Sequence, residues 1–515
     1  MEAIQPAICT KATKKSLFCS AALTLRRRSP WPSPGSPGHR REAGSSTKAT
    51  AEAAKPAERS PTESARGRWA AAVLGPGAGA GPSDLVTRFN GPVCLASWAG
   101  FWRRSVGADV GPGQLDQARA DPAVTPFPDP LAPLAEALAA LPATRRRQLR
   151  DFQPDGTAEL TPQTGPAVGS LLDLASNDYL GLARHPQLLA AARQALERDG
   201  VGAGGSRLVS GSRPVHSALE GRLAHWLGRE RVLLFPSGFQ ANLAAVGALA
   251  DRHSLVIADR LCHHSLLVGV QASGASLQRF AHNDLTDLER RLHQARAQAP
   301  SQRLLVISES LFSMEGSQPD AAALASLCAN YGAALLLDEA HALGVLGPGG
   351  RGLAWDQPAV TLVSGTFGKA FGGGGAFLAT GAIAGEWLLQ QAGAFRYTTA
   401  LAPALAAAAL AALDLVESNP GWGEALRARA ERWRGALAAA GWPRPPGQGP
   451  ILSLLVGEEQ AALALQQRLE GHGLLAVAIR PPTVPPGTSR LRLVLRQDLP
   501  AGSLKRLLKA LGQAP

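Results

Sequence analysis

Two hydrophobic patterns alternate along most of this chain. Short, mostly apolar runs recur at 231–235, 254–258, 304–308, 333–338, 361–364 and 376–380, and a mixed run, Leu-Gln-Arg-Phe, stands at 277–280. Between several of them, apolar residues fall three and four apart, at 238–250, 284–299 and 321–331. A short apolar run suits a strand buried on both faces, and the wider spacing predicts helices. Strands alternating with helices predict an α/β domain built on a mostly parallel, seven-stranded sheet.

The pattern changes on either side of this region. Residues 131–150 read as one amphipathic helix, 171–174 as a strand and 186–199 as a helix, followed by a Gly/Ser loop at 200–211. After about Thr399, long Ala/Leu-rich helices are expected at 403–417 and 423–440. Strands follow at 451–456, 474–479 and 490–495, with helices at 460–471 and 504–511. That is a smaller α+β domain, against which the N-terminal helix is expected to pack. The resulting division is 126–175 for the N-terminal helix and strand, 176–399 for the large domain and 400–515 for the small one.

Residues 1–125 hold neither period. Ser-Pro-Trp-Pro-Ser-Pro-Gly and Gly-Pro-Gly-Ala-Gly-Ala-Gly-Pro tracts cannot bury enough apolar surface to offset their ordering entropy. The segment reads as a disordered extension. An Arg- and Ser-rich targeting segment and a start codon placed too early are the other readings, the last slightly favoured. The net charge of the chain is +12, and roughly +8 of it lies in this segment. The rest is only mildly basic, so the charge does not point to nucleic acid. No apolar run is long enough to span a membrane. Five cysteines lie scattered without a CxxC or zinc spacing, which suits a reducing cytoplasm and no structural metal.

The candidate chemistry sits at the ends of the apolar runs. Asp338-Glu339-Ala340-His341 ends one of them, and Lys369 follows in the small-residue turn Ser364-Gly365-Thr366-Phe367-Gly368-Lys369-Ala370-Phe371-Gly372. An acid at a strand tip with a lysine in a compact turn is what pyridoxal phosphate (PLP) chemistry needs. The lysine forms a Schiff base and the acid keeps the pyridine nitrogen protonated. The tetrapeptide also occurs in helicases, but the Gly-x4-Gly-Lys-Ser/Thr loop they require is missing. Ser237-Gly238-Phe239 opens a helix after a strand, where free N–H groups make an anion site. Ser237 also suits an ordinary helix cap. One imidazole of His263-His264 can stack on a pyridine ring, and no third ligand is spaced to make the pair a metal site.

Six ordered motifs together resemble the α-oxoamine synthases, PLP enzymes of fold type I (aspartate aminotransferase-like), over about residues 131–512. They are Ser176-Asn177-Asp178-Tyr179-Leu180-Gly181-Leu182, Ser237-Gly238-Phe239-Gln240-Ala241-Asn242, Glu309-Ser310-Leu311-Phe312-Ser313-Met314-Glu315-Gly316, the Asp338 and Lys369 segments, and Ile479-Arg480-Pro481-Pro482-Thr483-Val484-Pro485. The resemblance implies an acyltransferase that condenses L-alanine with pimeloyl-CoA or a pimeloyl-acyl carrier protein, losing CO2. It implies Lys369 as Schiff-base lysine and proton carrier, Asp338 on the ring nitrogen, His341 on the ring oxygen and His263 stacked on the ring. Ser237, Gly238, Phe239, Ser313 and Thr366 would surround the cofactor. Asn177, Arg480 and Thr483 would line the substrate pocket with one of Arg145, Arg146 and Arg147, here taken as Arg147. Arg480 would hold the alanine carboxylate. It also implies a homodimer, with Thr398 or Thr399 reaching the partner's phosphate. A sibling that joins glycine to acetyl-CoA and a PLP-fold regulator are the alternatives.

Overall fold

The computed structural model describes residues 129–165 and 169–512; the expectations for residues 1–125 lie outside them. The helix expected over 131–150 is cut short. It spans Ala132–Ala140, followed by a 3-10 turn at Ala143–Arg145. Pro142 decides this, because a residue before proline is pushed out of the helical region, and Leu141 adopts ψ 121°. The helix was expected to pack on the C-terminal part, yet none of its residues is buried. The chain then forms a hairpin with no forewarning in the pattern, β1 (Phe152–Pro154) and β2 (Glu159–Pro162), beside β3 (Leu171–Asp173).

The seven-stranded sheet is present as expected. Its strands are β4 (Arg231–Phe235), β5 (Leu255–Asp259), β6 (Ser276–Phe280), β7 (Leu304–Glu309), β8 (Ala334–Asp338), β9 (Leu362–Thr366) and β10 (Ala376–Thr380). They lie in the order β4-β10-β9-β8-β7-β5-β6. β10 runs antiparallel to both its neighbours, and all other pairs are parallel. Successive side chains of a strand point to opposite faces, so the sheet divides the core in two. Val232, Leu234, Ile257, Val306, Leu335 and Leu337 join one apolar cluster. Their chain neighbours Leu233, Phe235, Val256, Leu305, Ile307 and Leu336 join the other.

Helices Pro214–Leu227, His264–Ser273 and Ala382–Gln391 were not foreseen. The first carries a legible signal, with Pro214 at its start and buried Leu219, Leu223 and Trp226 on one face. The second owes its helix to packing. A Cβ on Gly269 would stand 2.9 Å from Val246 Cβ, so only glycine lets the two helices approach this closely.

In the C-terminal part, β11 (Ile451–Gly457), β13 (Val477–Ile479) and β14 (Ser489–Val494) form an antiparallel sheet in the order β11-β14-β13. The single strand expected at 474–479 is split. Its first half, β12 (Leu474–Leu475), pairs in parallel with β3, joining the N- and C-terminal segments in one sheet. Among the described residues no helix is long and apolar enough to cross a membrane, and no group of side chains suits a metal ion.

Candidate active site

The carboxyl ends of β5, β7, β8 and β9 face one cavity of about 210 Å³. Open parallel sheets place ligands at this edge, where loops diverge and backbone groups are unpaired. Gly238, Phe239, His263, Asp338, His341, Thr366 and Lys369, all expected from the sequence, line it.

Asp338 is the last residue of β8 and is 6 % exposed. Its Oδ1 accepts the N–H of Ala340 (2.9 Å) and its Oδ2 accepts Asn242 Nδ2 (2.8 Å). Asn242 also donates to Ser265 Oγ (2.9 Å), and Ser265 Oγ lies 2.7 Å from His263 Nδ1. A buried chain of hydrogen bonds therefore sets the acid and the imidazole relative to each other. Glu339 turns the other way. It accepts from Ser310 Oγ (2.7 Å) and from the N–H groups of Leu353 and Ala354, bracing the next loop. Burial raises its pKa to about 7 against those bonds.

Lys369 lies beyond β9 in a turn that Thr366 braces. The Thr366 hydroxyl donates to Gly375 O (3.0 Å) and accepts the N–H of Gly368 (3.2 Å). Gly372 closes the turn at φ 62°, and a Cβ there would come 2.4 Å from Ala183 N. Loss of water around the ammonium lowers the Lys369 pKa to about 8, although Asp338 and Glu309 pull it upward. Burial, helped by the charges of Lys369 and Arg492, pushes His341 well below its usual range, so its ring is neutral at pH 7. Tyr179 Oη reaches His341 Nδ1 at 2.5 Å. Burial likewise lowers His263.

Ser237 caps the helix Gly238–Leu249, its Oγ accepting the Gln240 N–H at 3.3 Å. Among the described residues the N–H groups of Gly238 and Phe239 have no acceptor. A Cβ on Gly238 would touch only Thr366, at 3.8 Å, so the space above the helix start is open. The cavity thus fits PLP: an anion cradle at a helix N-terminus, a carboxylate for the ring nitrogen and a lysine with an accessible neutral form.

Three groups at this edge were missed by sequence reasoning. Glu309 ends β7, in register with Asp338, and its Oε1 accepts the His263 N–H (2.5 Å). Burial and the Asp338 charge push its pKa well up. Arg492, on β14 and 7 % exposed, donates through Nη2 to Asn177 Oδ1 (2.8 Å) and through Nε to Ser313 O (2.6 Å). Its charge acts on Lys369, His341 and Tyr179. Its charge gave little advance signal, because Arg490 stands two residues before it in the same strand. Tyr179 lay inside a quoted motif without a role.

Other expected residues stand elsewhere. Arg147 Nη2 donates to Thr483 Oγ1 (3.2 Å), whereas Arg145 pairs with Glu459 (2.8 Å) and Arg146 bonds Leu138 O. Arg147, Arg480 and Thr483 line a second cavity of about 730 Å³ with Arg146, Arg150 and Phe152. Arg480 donates to Thr144 O there and does not line the Lys369 cavity. Ser313 meets Arg492 through its carbonyl, and neither Thr398 nor Thr399 lines the Lys369 cavity.

This fold and this site define a PLP-dependent enzyme of the aminotransferase class I and II family, whose family model matches residues 170–511. The chain is 45% identical to the 8-amino-7-oxononanoate synthase of Gluconacetobacter diazotrophicus, covering 68% of this chain and 90% of that one. It is 44% identical to that of Geobacter sulfurreducens, covering 66% and 88%. The chain therefore belongs with the 8-amino-7-oxononanoate synthases. Among solved structures it resembles the serine palmitoyltransferase of Sphingomonas wittichii (TM-score 0.68, 28% identity, 74% and 96% of the two chains). It also resembles 8-amino-7-oxononanoate synthase from Francisella tularensis (TM-score 0.57, 26% identity, 66% and 96%).

The lowered lysine pKa has a measurable consequence. Only the neutral amine attacks the cofactor aldehyde, so the rate at which apoenzyme takes up PLP should climb with pH and level off above about 8. An ordinary lysine would keep gaining to about 10.4. Stopped-flow absorbance across pH 6–10 checks this.

Proposed function

We propose that this enzyme condenses L-alanine with a pimeloyl thioester, releasing CO2 and the free thiol and giving 8-amino-7-oxononanoate. The observation that carries the reading is the single cavity that gathers Lys369, Asp338, His263 and His341, with Arg492 bonded behind it to Asn177. Bound there, PLP supplies an electron sink for the bond broken at the alanine Cα. Lys369 takes the proton from Cα and returns one after CO2 departs; its pKa of about 8 leaves roughly a tenth of the amine neutral at pH 7, far more than an ordinary lysine keeps. Asp338, locked by Asn242 and Ala340, would hold positive charge on the ring nitrogen of bound PLP. His341, kept neutral and seated by Tyr179, would serve the ring oxygen. His263, set by Ser265, would stack on the ring.

Arg492, rather than Arg480, holds the alanine carboxylate, because it lies by Lys369 and keeps guanidinium hydrogens to spare. Arg492→Ala should raise the KM for L-alanine about 10–100-fold, the loss of one or two charge-assisted hydrogen bonds. Arg147, Arg480 and Thr483 belong to the acyl-donor side, where an arginine-lined cavity suits an anionic thioester.

The enzyme works in the cytoplasm as a homodimer. Buried, unpaired Cys262 and Cys328 suit a reducing compartment. Ala400 N–H bonds Gly205 O (2.9 Å), bringing together two loops whose Val209 (83% exposed) and Tyr397 (80%) call for a second copy to cover them.

A substrate screen tests the reading. Enzyme loaded with PLP is offered L-alanine or glycine, each with pimeloyl-CoA, pimeloyl-acyl carrier protein or acetyl-CoA, while thiol and CO2 release are followed. Fast turnover only with L-alanine and a pimeloyl donor is expected. Turnover confined to glycine and acetyl-CoA would move the chain to a sibling reaction.

A further inference from the structure

A second constellation lies one strand away, outside the cavity of Lys369. Asp259 ends β5, and β6 pairs with it in register at Phe280, which brings His282, two residues on, beside the carboxylate. The loop after β7, on the other side of β5, supplies Ser317. Ser317 Oγ lies 2.7 Å from His282 Nε2, and His282 Nδ1 lies 3.0 Å from Asp259 Oδ1.

The surrounding bonds fix the roles. Asp259 is fully buried and accepts the N–H groups of Leu261 (2.8 Å) and Asn283 (2.9 Å), so it is an anchored acceptor. His282 Nδ1 therefore carries the proton, and Nε2 is left to accept from the serine. The ring stands edge-on to Phe312, with centroids 4.4 Å apart at 88°, which limits its rotation. Asn283 is a non-glycine residue held at φ 54°, a conformation that costs energy and is retained where the surroundings demand it. That backbone sets Asn283 Nδ2 3.2 Å from the same His282 Nε2 that Ser317 Oγ reaches. The His282 side chain keeps 24% of its surface exposed, so small reagents can reach it.

We infer that Asp259, His282 and Ser317 form a second acyl-transfer site that hydrolyses small activated esters and thioesters. Ser317 Oγ bonds to the acyl carbon as its proton passes to His282 Nε2, and Asp259 steadies the charged ring. Once Nε2 is protonated it no longer accepts from Asn283, whose amide turns to the developing oxyanion. The C–O or C–S bond breaks, and the leaving group takes the proton from His282. Water then attacks the acyl-serine through the same base, releasing the carboxylic acid and restoring Ser317. The net reaction consumes one water and needs no redox partner.

The test uses the full chain loaded with PLP, a fluorophosphonate label and p-nitrophenyl acetate. Peptide mapping should place one label on Ser317. Ser317→Ala should lose it and lower ester hydrolysis at least about a hundredfold, the worth of a positioned base and its nucleophile. Lys369→Ala should retain both label and hydrolysis, which separates this site from the lysine chemistry. An unlabelled wild type, a label elsewhere, or unchanged hydrolysis in Ser317→Ala overturns the inference. Should Ser317→Ala fail to fold, Ser317→Cys answers instead: its new thiol should react with iodoacetamide ahead of buried Cys262 and Cys328, and an inert thiol overturns the assignment.

Discussion

Replacing Lys369 with alanine should remove turnover, by at least about 10⁴-fold, together with the visible absorbance that a lysine-bound cofactor gives. The size of the effect follows from what the side chain does at one place. In the proposed reaction its amine is the covalent tether of PLP and the base at the alanine Cα, and among the described residues no other lysine lines the cavity. His341 cannot substitute, because burial lowers its pKa and makes it a weak base, and Tyr179 occupies its Nδ1. His263 is tied through Nδ1 to Ser265 and sits on the helix start across the cavity. The fold should survive the change. Among the described residues Lys369 makes no ion pair, and the turn around it is held by Thr366, Gly375, Phe367 and Gly373. Added PLP should still bind at the free N–H groups of Gly238 and Phe239, so equilibrium dialysis should show retained cofactor with no activity. Turnover within tenfold of wild type would remove Lys369 from the mechanism.

Asp338→Asn should lower kcat about 10³-fold while leaving the KM for L-alanine within a few-fold. The carboxylate acts on the ring nitrogen, where negative charge arriving from Cα must be matched by a retained positive charge. An amide keeps the shape but not the charge. It also faces Asn242, whose Nδ2 now donates to Asp338 Oδ2, so the substituted amide must turn its oxygen to that donor. In the proposed reaction the carboxylate of the amino acid is held elsewhere, by Arg492, which is why substrate affinity should change little. The split between kcat and KM is the discriminating readout; a purely structural role for Asp338 would weaken both together.

Much of this architecture is legible before any coordinates. A strand buried on both faces must be apolar along its length, and that constraint marks six of the seven strands to within about two residues; β6, at the sheet edge, is half exposed and carries Gln278 and Arg279. Lys369, Asp338, His341 and His263 are legible because their chemistry requires strand ends, small-residue turns and fixed intervals. The errors have separate causes. Leu141 and Pro142 end the first helix by local sterics that the amphipathic spacing of 131–150 conceals. The helix His264–Ser273 carries Leu, Val and Gly in an order that does not favour a helix, and it forms because Gly269 admits Val246. The run 474–479 looks like one strand, yet its halves join different sheets, since β3 and β14 compete for its hydrogen-bonding edges.

The sequence by itself determined the class of sheet and the family, and it pointed to Lys369 as the candidate cofactor lysine, because those depend on local patterning and on motifs contiguous in the chain. The tertiary structure alone decided which charges share the site. Arg480 and Arg492 stand twelve residues apart on either side of a turn, equally basic in sequence, and only the pairing of β13 with β14 sends one to the second cavity and the other to Asn177. Glu309 becomes an active-site acid because parallel register sets it beside Asp338, and Ser317 meets His282 because β5 lies between β6 and β7. Such contacts join residues far apart in the chain. Their distances are set by strand register and packing, which no single stretch of sequence contains.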